Sequence, residues 1–378
     1  MTRRNEVCPC GSGKRYKQCH EALGTMSIAD ADNLLRSGRD DEAEACYQQL
    51  LDARPGDFAL LLRLAQLMEK RGRIAEAIAK YEAVISAVPG HAFPFTRRAI
   101  LLFRNRFGAP VPSIARVPGA NRITMSTLGS NGRFGNQLLQ YGFLRMYAAE
   151  HGLTVETPDW IGRDLFDLND PMLDEALPAV SEADVDFVAS LNRQVPLVWR
   201  NADLWGYCCY PTAGLRRYEN LFRGLFHPGE RVSQSVAAAE KELRGMGNTV
   251  VAIHLRRGDF GYGRFWLAPS AWYSDWLDDL WPALNRPVLY VASDDASAAA
   301  ELARFRPVTA ADLGIEMQGV EFYPDFHLLT QADALAISNS TFSFTAAMLN
   351  VRARTFVRPD RDKGRLVSFA PWDAPVLM

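Results

Sequence analysis

The sequence predicts a three-part chain that ends in an α/β domain. Three observations carry this: three Cys and one His crowded into residues 8–20, an internal repeat with a period of 34 residues, and, from residue 120 onward, apolar strand-like runs that break into polar or Gly-rich turns and then helices. The expected parts are residues 1–24, a repeat region over 26–107, a linker over 108–119 and the α/β portion over 120–378. At 378 residues the chain is long enough to bury several cores.

The first part reads Cys8-Pro9-Cys10-Gly11-Ser12-Gly13-Lys14-Arg15-Tyr16-Lys17-Gln18-Cys19-His20. Three thiols and an imidazole at this density suit tetrahedral zinc, and a site closed by four protein ligands is structural rather than catalytic. A segment of about 20 residues builds no core of its own, so a metal would supply its folding energy. The competing reading is a redox-active or incidental cluster. Gly11-Ser12-Gly13-Lys14 imitates part of a phosphate loop, but the preceding strand and the full spacing are missing. The spacing Cys-x-Cys-x8-Cys-His resembles the SEC-C motif, a small zinc-binding module. That resemblance implies structural zinc on Cys8, Cys10, Cys19 and His20, with Lys14, Arg15 and Lys17 forming a basic face for protein contacts.

In the repeat region Gly38-Arg39 recurs as Gly72-Arg73, Glu42-Ala43 as Glu76-Ala77, Ala45 as Ala79, Tyr47 as Tyr81 and Pro55-Gly56 as Pro89-Gly90. The offset of 34 is the tetratricopeptide period. Ala43 and Ala77 let paired helices approach closely, and Pro55 and Pro89 end each unit. Phe93 to Phe107 begins a third helix pair or acts as a cap. Repeats resembling this family bind peptides or proteins, so a protein partner is expected; a plain helical spacer is the alternative. The Pro- and Gly-rich run from Phe107 to Gly119 reads as the linker.

The α/β portion opens with a strand over Ile123–Leu128, a turn over Gly132-Arg133-Phe134-Gly135-Asn136-Gln137, and a helix signalled by Leu138, Leu139, Phe143, Leu144 and Tyr147. Glycines let a backbone approach a ligand, and the first turn of a helix offers N–H groups to an anion. Further on, the apolar run Val250–Ile253 empties into His254-Leu255-Arg256-Arg257-Gly258-Asp259. Polar groups at a strand's end lie where open α/β sheets bind ligands. Adjacent guanidiniums there favour an anion, because Arg pairs bidentately with phosphate; the other reading is a salt-bridged loop. Leu289–Ala292 runs into Ser293-Asp294-Asp295, and Ala334–Ile337 into Ser338-Asn339-Ser340-Thr341-Phe342-Ser343 before a helix. On composition alone, the last group reads as helix capping.

Together these segments resemble the α-1,2-fucosyltransferase family. His254-Leu255-Arg256-Arg257-Gly258-Asp259 fits its His-x-Arg-Arg-x-Asp motif, Gly135-Asn136-Gln137 its Gly-Asn-Gln motif and Asn339-Ser340-Thr341-Phe342-Ser343 its Asn-Ser-Ser/Thr-Phe-Ser motif. Gly132-Arg133-Phe134 is also similar to the protein O-fucosyltransferases. The resemblance implies a GT-B-like fold of two Rossmann-like lobes, 120–248 and a donor-binding 249–378, and transfer of fucose from GDP-fucose to a glycan or glycoprotein with inversion and without a catalytic metal. It implies catalytic roles for Asp259, Arg256 and His254, and donor contacts from Arg256, Arg257, Asn136, Gln137, Asp294, Asn339, Ser340, Thr341 and Ser343. Arg256 would hold the diphosphate, where negative charge grows as the sugar leaves. Asp259 is the first candidate for the base that inversion requires, Asp325 the second; Asp259 orienting an arginine is the alternative.

The sequence departs from the family where Phe344-Thr345 replaces two Trp and where Ala296–Ala300 follow Ser293-Asp294-Asp295. The alternatives are therefore a transferase of another nucleotide sugar, a protein O-fucosyltransferase, and a non-enzymatic scaffold whose last domain only binds nucleotide. A net charge of −2 argues against general nucleic-acid binding, and no apolar run approaches the length of a membrane span. With a polar N-terminus and thiols suited to zinc, the chain reads as cytoplasmic and bacterial. Cys46, Cys208 and Cys209 read as packed thiols, and Trp272, Trp276, Leu277 and Leu280 as core at helical spacing. His327 stands near Asp325, but a lone His is more often structural.

Overall fold

The computed structural model describes Glu6, Arg15, residues 27–263 and residues 265–378. Cys8, Cys10, Cys19 and His20 lie outside the described residues. The chain divides into two compact units, the first ending at Leu101 and the second running from Leu102 to Met378.

In the first unit, helices α1 (Ile28–Arg36), α2 (Asp40–Ala53), α3 (Phe58–Lys70), α4 (Ile74–Ala87) and the start of α5 (Ala92–Phe107) follow one another. Ser27 and Asp30 cap α1 reciprocally, and Asp57 accepts the Ala59 and Leu60 N–H groups at the start of α3. Gly38 and Gly72, one period apart, take the left-handed backbone (φ 73° and 71°) that ends the first helix of each pair. Ala43 and Ala77 are fully buried, as their closeness to the paired helix demands. A charged staple joins successive units: Arg63 pairs with Asp32 at 2.8 Å and the Tyr47 hydroxyl donates to the same carboxylate. One period later Arg97 pairs with Glu69, which also accepts the Tyr81 hydroxyl at 2.8 Å. The expected third element is one helix, α5, whose Leu101 joins the repeat core. No second helix follows at once, because residues 108–117 are irregular. The cap, rather than a third pair, is what forms.

In the second unit the segment from Gly108 is irregular but anchored, since Arg231 donates to the carbonyls of Phe107, Gly108 and Ala109. Then come β1 (Arg122–Thr124), α6 (Phe134–His151), β2 (Thr154–Glu156), α7 (Ile161–Leu165), β3 (Ala179–Ser181), α8 (Phe187–Leu191) and β4 (Ala202–Trp205). These strands form a parallel sheet in the order β2-β1-β4-β3. After α9 (Glu219–Leu225) and α10 (Glu230–Met246), the chain enters β5 (Thr249–Leu255), α11 (Ser270–Leu280), β6 (Pro287–Ser293), α12 (Tyr323–Thr330), β7 (Ala334–Ala336), α13 (Thr341–Leu349), β8 (Thr355–Asp360) and β9 (Arg365–Ser368). The second sheet has the order β6-β5-β7-β8-β9, parallel except for the final hairpin. Two parallel α/β lobes are the fold that the motifs implied.

β5 pairs with β6 over all seven residues and is buried from Val250 to Leu255, as its unbroken apolar run requires. Val251, Ile253 and Leu255 pack with Tyr273 and Leu277 of α11, while Trp272, Trp276 and Leu280 cover that core from its rim. β1 is shorter than expected: it ends at Thr124, not Leu128. The reason is Asp203 of β4, whose carboxylate accepts the Thr124 hydroxyl, the Ser126 N–H and the Ser126 hydroxyl and so diverts the backbone from the ladder. Among the described residues no helix is long and apolar enough to cross a membrane.

Candidate functional site

In the second sheet the chain leaves β5 toward β6 on one side, whereas β7 lies on the other and leads on to β8. A crevice opens outside the carboxyl ends of β5 and β7, the place where open α/β sheets take their ligands. Both C-terminal-lobe motifs end there. His254, the penultimate residue of β5, places Nδ1 2.8 Å from the Ser338 hydroxyl just beyond β7. Burial, reinforced by Arg256 and Arg257, pushes this imidazole down to about 3, so it is neutral and a weak proton acceptor.

Arg256 lies at the centre of the crevice. Nη1 pairs with Asp294 at 2.7 Å, Nη2 donates to Asp259, and the guanidinium rests 5.1 Å over the Phe260 ring. Its Nε is buried without a protein partner. Arg257 diverges from its neighbour. Its backbone N–H donates to Asp294, but its guanidinium reaches Ala268 O, the Ser270 hydroxyl and Glu301. It therefore fastens the loop after β5 instead of facing a ligand beside Arg256, because three acceptors behind the loop already engage its head.

Across the cleft, the Gly-rich turn presents Arg133 at 3.5 Å from Asp259. Partial burial draws this guanidinium below its ordinary range, Asp259 opposes that, and Arg256 adds to it. Asp259, with 45% of its side chain exposed, thus stands between an arginine from each lobe. Arg133 joins the site beyond the residues expected from the motifs; its place within Gly132-Arg133-Phe134-Gly135 is the signal the sequence offers.

The two helix starts meet here. Gly135 in the first turn of α6 packs so tightly on α13 that a Cβ there would lie 2.5 Å from the Phe342 nitrogen. Phe134 packs with Phe322 and Phe326 at 4.8 and 5.0 Å between centroids, closing the contact between lobes.

The remaining expected residues divide into those that face the cleft and those that shape it. Asn136 is half-buried, its amide oxygen 3.9 Å from the Cys209 thiol. Gln137 is buried and donates to Gly132 O, holding the turn from behind. Asn339 exchanges hydrogen bonds with the Met378 backbone, at 3.2 and 2.8 Å. Ser340 is the N-cap of α13 and accepts the Phe342 N–H; Thr341 is half-buried at the first turn. Ser343 is fully buried, its hydroxyl donating to the Ser338 and Ser340 carbonyls beneath the turn. Asp294 pairs with the Arg256 guanidinium and accepts the Arg257 backbone N–H. Asp325 accepts the Tyr290 hydroxyl, and burial pushes its carboxyl up to about 6. His327 pairs with Glu240 at 3.0 Å, a structural role. Cys46 and Cys208 are buried as expected, whereas Cys209 is half-buried.

What this arrangement can do is bind an anion between lobes. Two guanidiniums converge beside two helix starts; Asp294 braces Arg256, while Asp259 stands between Arg256 and Arg133 with 45% of its side chain exposed.

Comparison with solved structures gives similarity over the second unit. The Bradyrhizobium fucosyltransferase NodZ is 14% identical, with 66% of this chain and 99% of that chain covered and a TM-score of 0.44. NodZ α-1,6-fucosyltransferase soaked with GDP-fucose gives 16%, 66%, 99% and 0.45. A variant of Arabidopsis thaliana FUT1 in complex with GDP gives 13%, 70%, 80% and 0.46. Comparison with curated proteins gives no match. Residues 4–22 match the SEC-C motif family and residues 28–92 the tetratricopeptide repeat family, which identifies the front of the chain.

Proposed function

We propose that the second unit is a glycosyltransferase that moves fucose from GDP-fucose to a glycan hydroxyl, with inversion. The observation that carries this reading is the convergence of Arg256 and Arg133 on Asp259 at the carboxyl ends of β5 and β7, beside the starts of α6 and α13. The resemblance of three ordered motifs to the fucosyltransferases supports the choice of donor.

In this reading the acceptor oxygen attacks the anomeric carbon as the bond from that carbon to the diphosphate oxygen breaks. GDP leaves with the bonding pair, and Arg256 and Arg133 hold the growing charge. The guanidiniums supply the positive charge the leaving group needs, so no catalytic metal enters the scheme. A single displacement inverts the anomeric configuration. The acceptor proton passes to Asp259, the carboxylate that opens onto the cleft between the arginines. His254, neutral and tied to Ser338, positions the two motif turns rather than carrying the proton.

For the front of the chain, we propose that Cys8, Cys10, Cys19 and His20 bind one structural zinc ion and that the repeats recruit a protein partner. Thiolate ligands fit a reducing cytoplasm. The test of the enzymatic reading is NMR detection of a fucosylated product from GDP-fucose and a glycan mixture. A new glycosidic linkage of inverted configuration is expected. A retained configuration would contradict the single displacement, and transfer only from another nucleotide sugar would contradict the donor.

A further inference from the structure

The first sheet of the second unit has its own crevice, on the other side of the cleft. β1 leads away toward β2, while β4 arrives from β3 on the opposite side, so an opening forms outside the carboxyl ends of these two central strands. Trp205, the last residue of β4, stands there with 46% of its surface exposed, and Tyr207 follows with 47%. An indole this exposed normally gains by folding away; this one is held. Its Nε1 donates to Asp203, and that buried carboxylate is fixed in turn by Thr124 and Ser126. The backbone around it is equally constrained. Glu182 accepts the N–H groups of Tyr207 and Cys208 and the Tyr210 hydroxyl, and Gly206 admits this carboxylate, because a Cβ there would lie 2.5 Å from it. Asn131, in the turn that presents Arg133 and Asn136, donates to Gly206 O.

We propose that Trp205 and Tyr207 form the acceptor platform, stacking on the C–H face of a pyranose ring whose hydroxyls meet Ser126, Ser130 and Asn131. This rests on the glycosyltransferase reading and assigns to its glycan acceptor the residues that would hold it. A rigid aromatic face pre-set for contact loses little entropy on binding a flat apolar surface. Ser126 and Ser130 are exposed and Asn131 is half-buried; Ser126 shares the Asp203 carboxylate with the indole, and Asn131 reaches Gly206 O, so polar groups lie beside Trp205. An extended polypeptide binds by adding to a sheet edge or lying in a long groove. Here the edges are β2 and β3, while the aromatic face crowns β4, an inner strand, over an opening suited to a compact ring.

The full chain is titrated with methyl pyranosides of galactose, glucose, mannose and N-acetylglucosamine, with their β-linked disaccharides and with a mixed unstructured peptide pool, following tryptophan fluorescence and saturation-transfer NMR. The variants are Trp205→Ala, Trp205→Phe and Tyr207→Ala, each checked for an unchanged circular dichroism spectrum. At least one saccharide binds the wild type, Trp205→Ala weakens it about tenfold or more, and Trp205→Phe stays within a few-fold. Saccharide binding indifferent to Trp205→Ala, no saccharide binding, or Trp205-dependent peptide binding in its place overturns the proposal. GDP-fucose is titrated separately into the same proteins. Its failure to bind the wild type would count against the transferase reading, while the saccharide series still decides the platform.

Discussion

His254 Nδ1 and the Ser338 hydroxyl, 84 positions apart in the chain, lie 2.8 Å from each other and join the end of β5 to the turn after β7. This bond holds the arginine motif and the Asn-Ser-Thr motif on one rim. Because the ring is neutral down to a pKa of about 3, its role is geometric. His254→Ala is expected to weaken GDP binding, whereas His254→Asn, which keeps a polar partner for Ser338, recovers part of it. In the wild type, no limb of the pH–rate profile near 6.5 belongs to His254; a limb there that His254→Asn abolished would contradict this.

The sign of the acid response follows from the same burial. A His depressed from 6.5 to about 3 contributes stability that is present above its unfolded pKa and lost as pH falls from 6.5 toward 3. Asp325 acts in the opposite direction. Its carboxyl is raised from 3.8 to about 6, so its contribution is present below 3.8 and lost as pH rises through 6, on the order of 3 kcal/mol in all. Asp325→Asn is therefore expected to flatten the decline in stability between pH 4 and 6, measured by urea unfolding across pH.

Asp259 has two candidate tasks that one experiment separates. If it takes the acceptor proton, Asp259→Asn lowers kcat by about 10²-fold or more with donor affinity nearly kept. If it only orients Arg256 and Arg133, the same change weakens donor binding, and the pH dependence of kcat survives.

Gly135→Ala tests the meeting of the two helix starts. The added methyl would lie 2.5 Å from Phe342 N and 2.6 Å from the Thr341 carbonyl carbon, both backbone atoms with no rotamer to yield. A destabilisation of about 1–3 kcal/mol and a loss of donor binding are expected, read by thermal unfolding and calorimetry.

For the front of the chain, one zinc per chain by elemental analysis is expected, with Cys19→Ser losing the metal while donor binding by the second unit is unchanged. Absence of zinc in the wild type would contradict the proposed ligand set.

Much of this organisation was legible in the sequence. The 34-residue period located the paired helices, since the same small and aromatic residues must recur wherever the same helices pack. The abrupt change from Ile253 to His254 and Arg256 located the crevice, because a buried strand tolerates polar groups only at its end. Less legible were roles decided by which way a head group turns. Arg256 and Arg257 are identical in type and adjacent, yet one faces the cleft and the other grips Glu301. Ser343 matched its motif but is buried beneath the turn it helps to form. The early end of β1 and the fixing of Trp205 both depend on Asp203, nearly 80 residues beyond β1, and no local pattern announces such a pairing.

The measurement that bears most directly on the central claim is calorimetric titration of the full chain with GDP-fucose, GDP-mannose, UDP-galactose and UDP-N-acetylglucosamine, for wild type and Arg256→Ala. Selective binding of GDP-fucose, weakened about 10²-fold or more by Arg256→Ala, is the predicted result. Equal binding by the variant, or no binding of any donor by the wild type, would contradict an anion site built on Arg256.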